Sequence, residues 1–272
     1  MEDVMIDDSS LVPQLVNDET QIIFQRHCAY DKESGTLLDK SVAEQKIIVK
    51  NFLNYMSDNL ENTYFLFSAS NTSSSNEFKR CVETINIAMD LVKNYYTENG
   101  ISTDHIMNLN DKSNYNSSVH ESRYLTEPGM FTDQSGFLEY LKDKYDGINL
   151  DFWIDFEEDL SKQKREQFGS EGPDEIVQRS LRYINILERY SEFFHTKYPD
   201  SRLIIWNGTH YDLISPLVKQ KILNLEKSDY VGVKNCGGIS LIINSDGKIS
   251  SNVNGTIYPF DSQCSKQPRQ YF

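Results

Sequence analysis

Basic residues are scarce in this chain. It carries 27 Lys and Arg against 41 Asp and Glu, a formal net charge of -14. That deficit excludes a broad nucleic-acid-binding surface, which needs dense positive charge to neutralise phosphates. Long hydrophobic runs are also missing: the longest unbroken apolar stretches, at 64–67 and 203–206, have four residues each. A membrane-spanning helix needs about 20, so no span and no membrane partner are expected. The four cysteines, Cys28, Cys81, Cys236 and Cys264, show no CxxC spacing. Neither a zinc site nor a small disulfide framework follows from them, and they read as free thiols in a reducing compartment. The start, Met1-Glu2-Asp3-Val4, is acidic where a secretory signal has a basic start and an apolar run. A cytoplasmic location is the expectation. Neither GxGxxG nor GxxxxGK[ST] occurs, so no phosphate-cradling glycine loop is expected.

What is present suffices for a large core: 38% hydrophobic and 12% aromatic residues over 272 positions. Residues 1–18 hold five acids and no Lys or Arg and read as a flexible leader, with a single domain over 19–272. Short β-branched and aromatic runs at 20–25, 63–68 and 201–207 read as buried strands. Helical spacing of apolar residues marks 41–60, 76–96, 173–198 and 212–223, with Ser41 as an N-cap and Pro173 in a first turn. A Ser/Asn-rich turn at 70–76 separates the second strand from its helix, and 135–145 reads as a shorter helix. Between 97 and 121 only a short strand at 106–107 is expected. Strands at 238–244 and 248–254, joined by Ser245-Asp246-Gly247, read as a hairpin with an Asp-Gly turn. Alternation of strands and helices without a repeat predicts an α/β fold, a three-layer α/β/α arrangement with a mostly parallel central sheet. Residues 146–175 form an acidic insertion, ten acids against three bases, read as a solvated flap, with a lid or partner-binding flap built on Phe152, Trp153 and Phe156 as the alternative. Asp151, Asp155, Glu157 and Asp159 lack the central glycine and spacing of a calcium loop, and no metal is expected.

In such sheets the ligand crevice lies beyond the carboxyl ends of the strands. His27 and His210 each follow a strand, whereas His105, His120 and His195 fall in loops or on a helix. Arg26 precedes His27, and Arg80 opens the helix after the second strand. Two arginines and two histidines at strand ends suit a phosphoryl group, because the guanidinium fork matches phosphate oxygens. A histidine with a free ring nitrogen can serve as nucleophile.

The three segments Arg26-His27-Cys28, Arg80-Cys81-Val82-Glu83-Thr84-Ile85 and Thr209-His210 occur in an order that resembles the histidine phosphatase superfamily, with its phosphoglycerate mutase-like fold. That family carries Arg-His-Gly after its first strand, Arg-Ala-x-Glu/Gln-Thr-Ala opening a helix, and Ser/Thr-His ending a later strand. The resemblance covers about 21–254. It implies a phosphatase that hydrolyses a phosphate monoester of a small metabolite through a phosphohistidine on His27. Arg26, Arg80 and His210 would bind the phosphate, with no cofactor. It further implies a carboxylic acid in a loop after the second helix as proton donor, and Glu127 in Leu125-Thr126-Glu127-Pro128-Gly129 resembles that pattern with its glycine one position early. Glu121, Asp133 and the acids at 155–159 are the competing choices.

The chain departs from the family pattern at two places. Cys28 stands where the family has glycine, and Asp31 follows where a polar or basic residue is usual. These departures leave room for Cys28 as the functional thiol and for an inactive relative that binds a phosphoryl ligand or a partner protein. A phosphoglycerate mutase is the alternative within enzymes. The substrate and the oligomeric state are not written in these motifs.

Overall fold

A computed structural model describes residues 4–13, 16–70, 79–107, 119–131, 136–226 and 228–262. In chain order the elements are strand β1 (Val4–Ile6), β2 (Thr20–Arg26), helix α1 (Asp39–Tyr55), β3 (Thr63–Ser70), α2 (Arg80–Glu98), β4 (Ile106–Met107) and β5 (His120–Ser122). Then follow α3 (Phe137–Tyr145), α4 (Leu150–Glu158), α5 (Lys162–Gln167), α6 (Pro173–Lys197), β6 (Arg202–Thr209) and α7 (Tyr211–Leu217). Strands β7 (Val231–Val233), β8 (Gly238–Ile243), β9 (Ile249–Val253) and β10 (Thr256–Phe260) complete the described chain.

The central sheet runs β10-β9-β8-β2-β6-β3-β4, with β5 also on β3. Pairing among β2, β6, β3, β4 and β5 is parallel, whereas β8, β9 and β10 join antiparallel to β2 and to each other. The expected mostly parallel sheet is therefore corrected to a mixed one. The parallel half is made by βα crossovers; the hairpin turn, with Gly247 at φ +78°, sets β9 antiparallel to β8, and β8 itself lies antiparallel on β2. A buried apolar run such as Gly238–Ile243 reads the same in either direction, so the pattern alone did not set its sense.

Both faces of the sheet are covered, as the three-layer expectation requires. Ile23, Phe65, Phe67, Ile204 and Trp206 pack on α1 and α2. Ile22, Phe24, Leu66, Leu203 and Ile205 pack on α3, α4, α6 and α7. This two-sided burial explains why β2 and β6 are near-continuous apolar runs rather than alternating ones. Helix α6 begins where Pro173 needs no amide partner and Glu175 Oε2 accepts the Gly172 amide at 3.1 Å.

Two other expectations are corrected. Residues 4–13 are not a loose leader: β1 pairs parallel with β7, Ile6 and Leu11 are buried, and Ser240 Oγ donates to the Ser10 carbonyl at 2.9 Å. A three-residue strand paired to one more than 200 positions away leaves too short a pattern to recognise. The acidic segment is not a solvated flap but helices α4 and α5. Phe152 and Phe156 enter the core, and the buried Asp155 accepts from Lys144 Nζ at 2.7 Å, Tyr145 Oη at 2.7 Å and Ser161 Oγ at 2.7 Å. Its acids point outward or find partners, and its aromatics point in. The helix expected at 76–96 is described from Arg80, and the turn expected at 70–76 lies outside the described residues beyond Ser70. The helix expected at 212–223 is α7, which contains Pro216, followed by a wider turn at Val218–Ile222. No helix among the described residues is long and apolar enough to cross a membrane.

Candidate active site

The register of β2 on β6 pairs Arg26 with Thr209, so both strands end at the same level. The His27 amide continues the ladder to the Thr209 carbonyl at 3.0 Å. The rings of His27 and His210 then stand edge to face, centroids 5.3 Å apart. Helix α2 approaches β6 closely at Gly208, where a Cβ would stand 2.5 Å from Ile85 Cγ1. That contact brings the first residue of α2, Arg80, to the same strand ends.

His27 Nδ1 lies 2.8 Å from the Cys28 carbonyl oxygen. A carbonyl only accepts, so Nδ1 carries the proton and Nε2 keeps its lone pair. Burial, with the charges of Arg80 and Arg26 added, pushes the His27 pKa down to about 3. The ring is thus neutral, as a nucleophile must be. The Cys28 amide donates to Thr84 Oγ1 at 3.0 Å, and Thr84 Oγ1 in turn donates to the Arg80 carbonyl at 2.8 Å. The threonine of the second motif therefore holds the loop of the first, a tie between segments that spacing alone does not reveal.

Glu127 ion-pairs with the Arg80 guanidinium, and its Oε1 lies 3.2 Å from His210 Nδ1. Burial pushes its carboxyl up, against the pull of Arg80. His210 is held well below the ordinary histidine range by burial and then by His27 and the arginines, so it is a neutral hydrogen-bonding group. Its Nε2 lies 3.3 Å from Cys81 Sγ. Arg80 also stacks on Tyr30, 4.4 Å from the ring centroid. Arg26 donates from Nη1 to the Val233 carbonyl and lies 5.7 Å from the Tyr211 ring centroid. Buried Nε atoms of both Arg26 and Arg80 find no partner among the described residues, donors left over for an anion.

The structure thus brings His27, Arg80, Glu127 and His210 together, with Arg26 at the edge of the group. The competing acids make other contacts, Glu157 with the Tyr211 hydroxyl and with Lys219 Nζ at 3.4 Å. Glu121 pairs with Lys79 at 2.7 Å on the surface, Asp155 is bound up under α3, Asp159 holds Arg165 at 2.7 Å, and Asp133 lies outside the described residues. Asp31 does not face the site: it is exposed and accepts the amides of Glu33 at 3.0 Å and Ser34 at 2.7 Å within its own turn.

Two functional neighbours escaped the sequence reading. Arg179 on α6 binds Glu171 through two nitrogens at 2.9 Å, and its Nη1 donates to the carbonyls of Tyr124 at 3.1 Å and Thr126 at 3.0 Å. It thereby pins the loop that delivers Glu127, helped by Thr209 Oγ1 donating to the Leu125 carbonyl at 2.8 Å. Asp212 is buried with Oδ1 unpartnered among the described residues, and burial, then the charge of Glu127, pushes its pKa up to about 8. A carboxylate two residues past Thr209-His210 was the available signal for Asp212; Arg179 had none.

A cavity of about 800 Å³ opens beside this cluster rather than over His27, and Arg26 belongs to both. Among the described residues no group of three His, Cys, Asp or Glu is placed to hold a metal ion.

The depressed His27 pKa has a consequence for stability. Between about pH 3 and 6.5 the unfolded chain binds a proton on this histidine and the folded chain does not. Its contribution to stability is present above pH 6.5 and lost as the pH falls through that window. His27→Asn is expected to flatten the acid-side decline of the unfolding midpoint, measured by thermal unfolding from pH 7 to 4; an unchanged slope would exclude a neutral buried His27.

No family model matches the sequence, and no curated protein matches it. Solved structures do. A phosphoglycerate mutase from Bacillus anthracis is 14% identical, with 88% of this chain and 94% of that one covered and a TM-score of 0.50. A mycobacterial glucosyl-3-phosphoglycerate phosphatase is 15% identical, with 86% and 96% covered and a TM-score of 0.47. A phosphoglycerate mutase from Plasmodium falciparum is 13% identical, with 93% and 99% covered and a TM-score of 0.37. The first of these likenesses shows a shared fold.

Proposed function

We propose that this chain, which has the phosphoglycerate mutase-like fold of the histidine phosphatase superfamily, is a phosphatase acting on a phosphate monoester of a small metabolite. The observation that carries the reading is His27 itself. It is a neutral imidazole with Nδ1 bound to a backbone carbonyl and Nε2 free, set among Arg80, His210 and a carboxyl of raised pKa.

In this reading Nε2 of His27 attacks phosphorus, the P–O bond to the leaving group breaks, and a phosphohistidine forms. The developing imidazolium keeps its Nδ1 proton on the Cys28 carbonyl. Arg80 and Arg26 hold the equatorial oxygens, and His210 adds an N–H when its Nδ1 turns from Glu127 to the phosphate, each well-placed donor being worth about 3 kcal/mol in the transition state. An arriving phosphate takes Arg80 away from Glu127. With its cation gone and a dianion beside it, the Glu127 carboxyl rises further and is protonated, ready to give its proton to the leaving oxygen. Water then attacks the phosphohistidine with Glu127 accepting the proton, and phosphate leaves. No cofactor enters these steps.

The test is phosphate release from a panel of esters, with phosphate trapped on His27 by mass spectrometry under non-acidic conditions. Inactivity of the reduced protein on every ester from acid to neutral pH would overturn the enzyme reading in favour of a phosphoryl-ligand binder. Isomerisation of 3-phosphoglycerate with a bisphosphate primer, in place of hydrolysis, would make it a mutase. Glu127→Gln is expected to slow alkyl phosphates by about 10²-fold or more and p-nitrophenyl phosphate far less, because nitrophenolate needs little protonation to leave. Equal losses on both substrates would remove Glu127 from the acid role.

A further inference from the structure

Cys28, the residue that departs from the family's glycine, has a partner. Its Sγ lies 2.7 Å from Sγ of Cys236, and both are free, buried thiols. The two residues are 208 positions apart and meet because β2 and β8 are neighbours in the sheet. Cys236 sits in the turn before β8 with φ +60°, and its amide reaches back to the His27 carbonyl at 3.5 Å. Both sulfurs also approach the Ser41 carbonyl, at 3.5 and 3.7 Å. Cys81, the third described cysteine, faces away toward Thr209 and His210. Cys236 lines the cavity of about 800 Å³ that also exposes Arg26, Trp153 and Tyr230, so a small solute has a route to the pair.

We propose that Cys28 and Cys236 are a reversible oxidation site, converted by hydrogen peroxide or another small hydroperoxide to a disulfide that ties the His27 loop to the turn before β8. The thiolate of one cysteine attacks the peroxide, the O–O bond breaks, and a sulfenic acid forms with release of water. The second sulfur displaces the hydroxyl as another water, so two thiols and one peroxide give one disulfide and two waters. Either sulfur can donate to the other, and the step balances the same way whichever of them attacks. The Cys28 carbonyl holds His27 Nδ1 and the Cys28 amide holds Thr84, so the link immobilises the peptide that orients His27.

The test needs no substrate and is independent of the phosphatase reading. The reduced full chain is treated with hydrogen peroxide, remaining thiols are alkylated, and intact and non-reduced peptide masses are recorded alongside thermal unfolding. The expected result is a chain about 2 Da lighter than the reduced one before alkylation, two fewer alkyl groups after it, and one peptide pair joining Cys28 to Cys236. Because the bond closes a long loop, a rise of about 5 °C in the unfolding midpoint accompanies it. Dithiothreitol reverses all of these, and Cys236→Ser or Cys236→Ala shows none. Alkylation of both cysteines after peroxide, sulfinic acid on Cys28 without a link, or a link to Cys81 or Cys264 would each overturn the proposal. If the Cys236 variants fail to fold, the peptide map of the unaltered chain decides alone.

Discussion

His27→Ala is expected to lower the rate of p-nitrophenyl phosphate hydrolysis by about 10⁴-fold or more and to abolish phosphate trapping on the protein, because losing a nucleophile removes the covalent path entirely. The change differs from loss of a binding group. Arg80 and His210 would remain able to hold phosphate, so a substrate analogue still binds while turnover disappears. The side chain is almost wholly buried, at 5% exposure, and its removal also deletes the Nδ1 contact to Cys28. Far-UV circular dichroism and the unfolding midpoint of the variant therefore accompany the kinetics. His27→Asn serves as the closer replacement, filling most of the volume and keeping a donor near the Cys28 carbonyl. A folded variant that retains activity, with label on Cys28, would transfer the nucleophile to the thiol. Retained activity with label elsewhere would remove the covalent assignment altogether.

Phe152→Ala is expected to cost about 3 to 5 kcal/mol of stability, the usual range for emptying a fully enclosed aromatic site. Phe152 is 0% exposed and packs edge to face with Trp153, centroids 5.3 Å apart. Trp153 in turn meets Tyr211, the residue after His210, at 5.6 Å, and Tyr211 donates its hydroxyl to Glu157 of the same helix. The acidic insertion is thus coupled through aromatic contacts to the segment that carries His210. Denaturant unfolding of the variant measures the loss. A change below about 1 kcal/mol, the size typical of exposed positions, would mean that the segment is the solvated flap its composition suggests. A full loss, together with a raised KM for phosphate esters, would show that the insertion shapes the substrate side of the site.

Much of the site was legible because its signal is local. Arg26-His27, Arg80 and Thr209-His210 each sit at the end of a short apolar run or the start of a periodic one, where strand-end chemistry is expected. The helices expected at 41–60 and 173–198, which run 39–55 and 173–197, and the hairpin with Gly247 were legible for the same reason: 3.6-residue spacing, a first-turn proline and an Asp-Gly turn are properties of neighbours in sequence; Ser41, expected as an N-cap, stands inside the first helix and accepts the Ala29 amide. The N-terminal strand was missed because three residues carry no period. Strands β5, β7 and β10 had no reading in the sequence; β9, as short as β10, was legible through its Asp-Gly turn. The acidic segment misled because its ten acids dominate its composition, whereas its fold depends on where Phe152 and Phe156 point.

By itself the sequence determined the alternation of strands and helices, the residue types at the strand ends, and the excess of acid in 1–18 and 146–175. Only the tertiary structure decided that β8 lies antiparallel on β2, that Glu127 rather than Glu121 or Asp155 reaches Arg80 and His210, and that Cys28 meets Cys236. Periodicity constrains a residue against neighbours a few positions away. Which distant segments share a strand end depends on how whole layers pack, and that packing also removes the water whose loss makes His27 neutral and lifts the Glu127 carboxyl.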